Sequence, residues 1–369
     1  MSDMYNFSAG PAQLPNEVLI KAQHDLLDWQ GCGISVMEMP FSSDEYKQIS
    51  DCAYNDLSKL INLPDNYRIL FLQGGAYAHF SLIAMNLMGH KATADYVQTG
   101  HWSTRAINEA KRYGQVNIIA SSEQSGFNQI PPYHQWKLDP DAAYCHITTN
   151  ETANGVQFHK IPDIQTVPLV ADVTSDFLTR QLDISQFGLI YASAQKNIGP
   201  TGLTIVIIRD DLLNQAMEIV PAVFNYGRQA QSRVNTPPTY SVYIAGLMFS
   251  WLLEQGGIQH FELQNRDKAK KLYDFIDSDE FYHYTVDVAD RSIVNVCFEL
   301  NDPEMTEDFI TEANHNGLIN LRGHGVRGGI RASLYNSMPV EGVDTLIDFM
   351  QDYSANYSLP TLQNTVSHS

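Results

Sequence analysis

The chain has 369 residues, long enough for two or three domains at roughly 100–200 residues each. With 44% hydrophobic and 18% charged residues, and with 23 Gly and 16 Pro that follow no period, it has the composition of a folded globular protein, which excludes a disordered or collagen-like chain. A net charge of −19 repels a phosphate backbone and an anionic lipid surface, so no nucleic acid and no membrane is expected as a partner.

The first residues, Met1 to Asn6, lack the basic and apolar regions of a signal peptide, and no apolar run approaches the roughly 18 residues of a spanning helix. A cytoplasmic protein is the expectation. Val18, Leu19, Ala22, Leu26 and Leu27 recur at helical spacing between Pro15 and Gly31, which predicts a helix over Glu17–Trp29. Tyr67–Gln73 is a short apolar run ending in Gly74-Gly75, and Phe80, Leu82, Ile83, Met85 and Leu87 follow as a buried helix. Further apolar runs at 116–120, 143–147, 167–171, 188–192 and 203–208 alternate with polar or helical stretches, the pattern of an α/β domain with a mostly parallel sheet.

Gly256-Gly257 ends an apolar helix around Tyr243–Leu253, and the chain changes character there. Beyond it the spacing predicts a charged helix (258–276), a strand (293–298), a helix (304–313), short strands near Leu318 and Ile330, and a helix from Val340. Val343, Leu346, Ile347, Met350 and Tyr353 line one face of that last helix. The expected organisation is an N-terminal segment (1–15) packed with the small domain, a large domain (16–256), a smaller C-terminal α+β domain (257–357) and a polar tail (358–369). Cys32, Cys52, Cys145 and Cys297 show no CxxC or disulfide rhythm and read as reduced, buried thiols.

Lys196 follows a buried strand in Ala194-Gln195-Lys196-Asn197-Ile198-Gly199-Pro200. A loop lysine alone is ordinarily solvated. At a strand end of an open α/β sheet, however, ligands bind, and a desolvated lysine forms a Schiff base with a carbonyl compound such as pyridoxal phosphate (PLP). PLP also needs an acid beside its ring nitrogen and donors for its phosphate. Asp172 ends the run Val167–Ala171, 24 residues before Lys196, a spacing that fits one strand-crossover-strand unit. Gly74-Gly75-Ala76 would leave N–H groups free at a helix N-terminus, and Trp102 could offer a flat face to a ring. The twelve histidines form no ligand cluster, so no metal is expected.

At this point the chain resembles the phosphoserine aminotransferase family, class V of the fold-type I PLP-dependent transferases, from Asn6 to about Tyr353. The motifs are Asn6-Phe7-Ser8-Ala9-Gly10-Pro11, Ser35-Val36-Met37-Glu38, Ala94-Asp95-Tyr96-Val97, Asn150-Glu151-Thr152, the Lys196 segment, Asn235-Thr236-Pro237-Pro238 and Gly328-Gly329-Ile330-Arg331-Ala332-Ser333. The resemblance implies that Lys196 is the Schiff-base lysine and general acid/base, Asp172 the ring-nitrogen partner and Trp102 the stacking ring. It implies that Thr152 bonds the phenolic oxygen and that Ala76, Tyr77 and Gln195 hold the phosphate, with Asn235 and Thr236 from a second subunit. A homodimer with shared sites follows, with Arg331 gripping the substrate α-carboxylate and His324 available to an anion. The partners would be an amino acid and a small 2-oxo acid, glutamate and 3-phosphohydroxypyruvate in the family.

The family pattern breaks in three places. Met39-Pro40-Phe41-Ser42-Ser43 stands where Ser-His-Arg is usual after Met37-Glu38, Tyr77 where an arginine is common, and Gly325 where an arginine follows Gly323-His324. A phosphate dianion would lose about 1.5–3 kcal/mol per missing charge-assisted bond. Arg327, Arg228 and Arg233 are the candidate replacements. The alternatives are a paralogue retargeted to a non-phosphorylated or more apolar substrate, other PLP chemistry (elimination, decarboxylation or desulfuration) and a non-catalytic PLP-binding scaffold. No cysteine is expected in a loop near Arg331, which argues against desulfuration.

Overall fold

The computed structural model describes residues 4–232 and 234–358, so Arg233 and the expected tail from 359 onward lie outside the described residues. The strands are β1 (Tyr5–Asn6), β2 (Tyr67–Leu72), β3 (Thr93–Gln98), β4 (Gln115–Ser121), β5 (Cys145–Thr148), β6 (Asn150–Glu151), β7 (Val156–Gln157), β8 (Leu169–Asp172), β9 (Leu189–Ser193), β10 (Thr204–Arg209), β11 (Tyr282–His283), β12 (Asn295–Leu300), β13 (Leu318–Ile319) and β14 (Ile330–Ser333). Seven form the main sheet in the order β2-β10-β9-β8-β5-β3-β4, in which β10 alone runs antiparallel to its neighbours. The expected mostly parallel α/β sheet is present.

Both faces of that sheet are covered, and the alternation of side chains shows how. Leu169, Ala171, Ile190, Ala192, Ile205 and Ile207 face one core, while Val170, Leu189, Tyr191, Val206 and Ile208 face another. The first is closed by α2 (Asp44–Leu60) and α6 (Thr239–Glu254), through Ala53, Leu57, Val242, Ala245 and Phe249. The second is closed by α3 (Gly75–Leu87) and α4 (His101–Ala110), through Phe80, Ile83, Ala106 and Ile107. Burial on both sides explains why β5, β8 and β9 read as continuous apolar runs.

A second core gathers around the antiparallel sheet β11-β12-β14. It is packed by α7 (Gly257–Ser278), α8 (Thr306–His315) and α9 (Val340–Ser358), with Val343, Leu346, Met350 and Tyr353 buried as their spacing predicts. β1 pairs in parallel with β13, and Phe7 is fully buried in the same cluster.

The first helix is shorter than expected, α1 (Asn16–Asp25) rather than 17–29. Asp28 accepts a hydrogen bond from the Gly33 amide (2.7 Å), a local alternative to continuing the helix, while Asp25 at the helix end accepts one from the distant Tyr243 hydroxyl. The cysteine expectation also needs correction. Cys145 is buried, but Cys32 and Cys52 are exposed and Cys297 is intermediate. Cys297 is the direct cross-strand partner of Arg331, closer to it than expected; burial pushes its thiol up to about 11, so it remains a thiol at neutral pH.

Candidate active site

Parallel β5, β8 and β9 end side by side, delivering Thr148, Asp172 and the segment after Ser193 to one edge of the sheet. Gly75, Ala76, Tyr77, Trp102, Thr148, Asn150, Thr152, Asp172, Gln195 and Lys196 line a single cavity there. Seven of the predicted site residues are thus together. The Lys196 amine donates to the Thr152 hydroxyl and lies 5.3 Å from the centre of the Trp102 ring.

Burial pulls the Lys196 ammonium down to about 7, opposed by the charge of Asp172 and assisted by that of Arg331. The side chain keeps part of its surface on the cavity, so the amine is poorly hydrated yet reachable. Burial raises the Asp172 carboxyl, against hydrogen bonds from Thr174, whose backbone N–H donates at 2.9 Å. A positive group placed beside Asp172 would favour its charged form.

Two buried devices hold this arrangement. Glu151, wholly buried, accepts from the backbone N–H groups of Trp102 and Ser103, each at 2.9 Å, so its carboxylate caps the N-terminus of α4 and fixes Trp102. At Gly100 a Cβ would lie 2.5 Å from that carboxyl group, which is why glycine stands there. Behind the lysine, the Asn197 side chain accepts from the Asn336 amide (3.0 Å) and donates to the Phe177 carbonyl (2.8 Å). The sequence alone assigns neither role, although Glu151 lies in the Asn150-Glu151-Thr152 motif and Asn197 in the Lys196 segment.

The cavity fits PLP on its own chemistry. Trp102 Nε1, Thr148 Oγ1 and Asn150 Oδ1 are buried polar atoms on its walls without a hydrogen-bond partner, as is Arg331 Nε beside it. The cavity reaches the first turn of α3, entered through Gly74 at φ +107°, where N–H groups have no intrahelical acceptor and favour a phosphate. Gln195 accepts from Ser193 at the same end.

The remaining predicted residues divide. Arg331 is on β14 and reaches the Thr152 carbonyl (3.4 Å); His324 packs against Trp102 and His101, with ring centres 5.7 and 4.7 Å apart. Asn235 and Thr236 line a different cavity, where the Thr236 carbonyl accepts from Gln73 (3.1 Å), so one chain does not bring them to Lys196. Arg327 is tied to the Gly126 carbonyl and the Thr285 hydroxyl, and neither Arg228 nor Phe41 lines the lysine cavity. Tyr77 does, with its hydroxyl accepting from Arg105 (3.2 Å).

A lysine-centred cavity at the strand ends of a doubly covered, mostly parallel sheet defines a PLP-dependent enzyme of fold-type I. Residues 4–346 match the family Aminotransferase class-V. The chain is 51% identical over 368 residues to a phosphoserine aminotransferase of Nitrosomonas europaea, covering 97% of this chain and all of that protein. It is 52% identical over 352 residues to that of Acinetobacter baylyi, covering 95% and 98%. A phosphoserine aminotransferase structure from Bacillus circulans subsp. alkalophilus superposes with a TM-score of 0.94 at 40% identity, covering 97% of this chain and 100% of that one. The PLP-bound phosphoserine aminotransferase of Trichomonas vaginalis gives 0.90 at 35%, covering 94% and 99%. The chain belongs to the class-V aminotransferase family and is a PLP-dependent aminotransferase. Among the described residues no helix is long and apolar enough to cross a membrane.

Proposed function

We propose that the chain transfers an amino group reversibly between L-glutamate and 3-phosphohydroxypyruvate, the phosphoserine aminotransferase reaction. The observation that carries the reading is the depressed amine of Lys196, set against Trp102, Thr152 and Asp172 in a chain alike from end to end with phosphoserine aminotransferases.

PLP bound here would supply an electron sink for negative charge at the substrate Cα. Lys196 Nζ, neutral above about pH 7, would accept the Cα proton of the amino donor in the first half-reaction and would give a proton to the Cα of the acceptor in the second. Thr152 holds that amine in place and would bond the cofactor's phenolic oxygen. Asp172 would serve the ring nitrogen and Trp102 the ring face, and the N–H groups of Ala76 and Tyr77, with Gln195, would receive the phosphate. Arg331 presents its guanidinium to the α-carboxylate, with His324 beside it.

Asn235 and Thr236 lie outside the chain's own lysine cavity, which supports a homodimer in which each copy completes the other's phosphate cup. A cytoplasmic location accords with the absence of a membrane-spanning helix among the described residues.

The experiment is a single-turnover spectrum of the holoenzyme mixed with O-phospho-L-serine, L-glutamate or a panel of other amino acids. Rapid loss of the cofactor's long-wavelength absorbance with both named compounds is expected. No change with phosphoserine, but conversion by another amino acid, would overturn the substrate assignment and favour the retargeted paralogue.

A further inference from the structure

Arg105 lies on α4 one turn after His101, exposed, and its usual helical partner four residues on is taken. Glu109 pairs with Arg112 (3.1 Å) and accepts from Ser81 (3.3 Å). Arg105 turns instead toward the cavity mouth. Its guanidinium donates to the Tyr77 hydroxyl at 3.2 Å and lies 5.0 Å from the centre of the Tyr77 ring. That ring meets Trp102 edge-on at 5.6 Å, and Trp102 in turn stands 5.3 Å from the Lys196 amine. Lysine, indole, phenol and guanidinium thus form a continuous wall from the reacting amine outward.

Asp172 lies at the lysine end of this wall, and its outer end carries the Arg105 guanidinium. The His101 ring packs 4.7 Å from His324, and both imidazoles feel Arg105; His324 also feels Arg331 and Lys196. The nearby carboxylate, Glu151, is spent on the backbone N–H groups of Trp102 and Ser103. Among the described residues no ion pair includes Arg105. A guanidinium resting on a phenol keeps most of its N–H donors for a ligand, and its planar fork matches a phosphate or a carboxylate.

We propose that Arg105, with the Tyr77 hydroxyl, is a specificity-determining residue that receives the distal anionic group of the substrate, a phosphate monoester or a carboxylate. It supplies the charge absent at positions 77 and 325, where this chain has Tyr and Gly. The inference rests on the function proposed above and deepens it by assigning the group that recognises the second acid of each substrate.

The test compares Arg105→Met, Arg105→Lys and Tyr77→Phe holoenzymes with the parent, after melting and cofactor absorbance show each to be folded and loaded. Half-reactions with O-phospho-L-serine and with L-glutamate form two arms that separate the phosphate from the carboxylate. Calorimetric binding of 3-phosphoglycerate, which carries no reacting amine or 2-oxo group, is the third. Arg105→Met is expected to raise the KM of at least one anionic amino acid, and to weaken 3-phosphoglycerate binding, by about 10- to 100-fold with kcat within about 3-fold. Arg105→Lys is expected to recover part of the loss, and Tyr77→Phe to show a smaller one. Changes under about 2-fold in all three arms would overturn the role of Arg105, as would a parent that binds no 3-phosphoglycerate and reacts with neither amino acid. A parent that fails only with phosphoserine, yet loses glutamate affinity in Arg105→Met, would sink the substrate assignment and leave Arg105 in its role.

Discussion

At neutral pH the Lys196 amine is expected to be neutral in about half the molecules when the cofactor is removed. An unperturbed lysine near 10.5 has about one neutral amine in 3,000 at pH 7, so a value of about 7 enriches the nucleophilic form roughly 1,000-fold. The shift comes first from burial, and the neighbouring charges divide it further. Asp172 favours the ammonium and Arg331 disfavours it. Asp172→Asn therefore moves the titration to lower pH, and Arg331→Met moves it to higher pH. Competitive labelling of the apo-protein with trace acetic anhydride from pH 5 to 11 measures this directly. The Lys196 peptide is quantified by mass spectrometry against a model amine, and the open side of the cavity admits the reagent. The expected midpoint is near 7, with the two variants displaced in opposite directions. A midpoint above 9, or displacement of both variants the same way, would refute the argument that burial and these two charges tune the lysine.

Two further outcomes test the scaffold around it. Glu151→Ala removes a carboxylate shared by two buried N–H groups and should cost about 2–4 kcal/mol in denaturant unfolding, with altered Trp102 emission; a loss below 0.5 kcal/mol would refute the capping role. Lys268, fully buried, donates to the carbonyls of Leu334, Tyr335 and Met338, and Lys268→Met should destabilise by about 2–4 kcal/mol after relief of the buried charge. Burial lowers this lysine to about 7, so between pH 7 and its unfolded value near 10.5 the unfolded chain binds more protons and stability rises with pH. The Met variant lacks that rise; a gap from the parent that stays constant over pH 7–10 would show that the three carbonyls, which favour the ammonium, outweigh burial.

Lys268 also shows why some of this protein is readable along the chain and some is not. The strands β5, β8, β9 and β10 were legible because burial on both faces demands continuous apolar runs, and each overlaps its predicted run, as do β2 and the partly exposed edge strand β4. Asp172 was legible because it ends such a run and Lys196 because it closely follows one, where topology places ligands. The helix α2 is not among the expected elements, although Tyr46, Ile49, Ala53, Leu57 and Leu60 repeat at helical spacing and Ser43 caps it by accepting from the Tyr46 amide (3.2 Å). Its signal is local and was available. Lys268 gave no such signal, since a lysine in the charged helix α7 looks solvated until three carbonyls from a turn 66 to 70 residues away close over it.

The same limit governs the site. Glu151 reaches Trp102 across 49 residues and Arg105 reaches Tyr77 across 28, so no window of the sequence pairs them. Motif comparison marks a missing arginine at position 77 as a loss because it scores one position at a time. A pocket binds charge in space rather than in register, and a guanidinium one helix away, freed from its own i+4 carboxylate, can meet the same anion. The substitution at 77 is then part of the replacement: a phenol gives Arg105 a face to rest on and a hydroxyl to hold it at the cavity mouth. An arginine at 77 would put two guanidinium groups at that spot, and like charges so close repel. Tyr77 and Arg105 are therefore expected to be interdependent, their double variant losing less affinity than the sum of the two single losses.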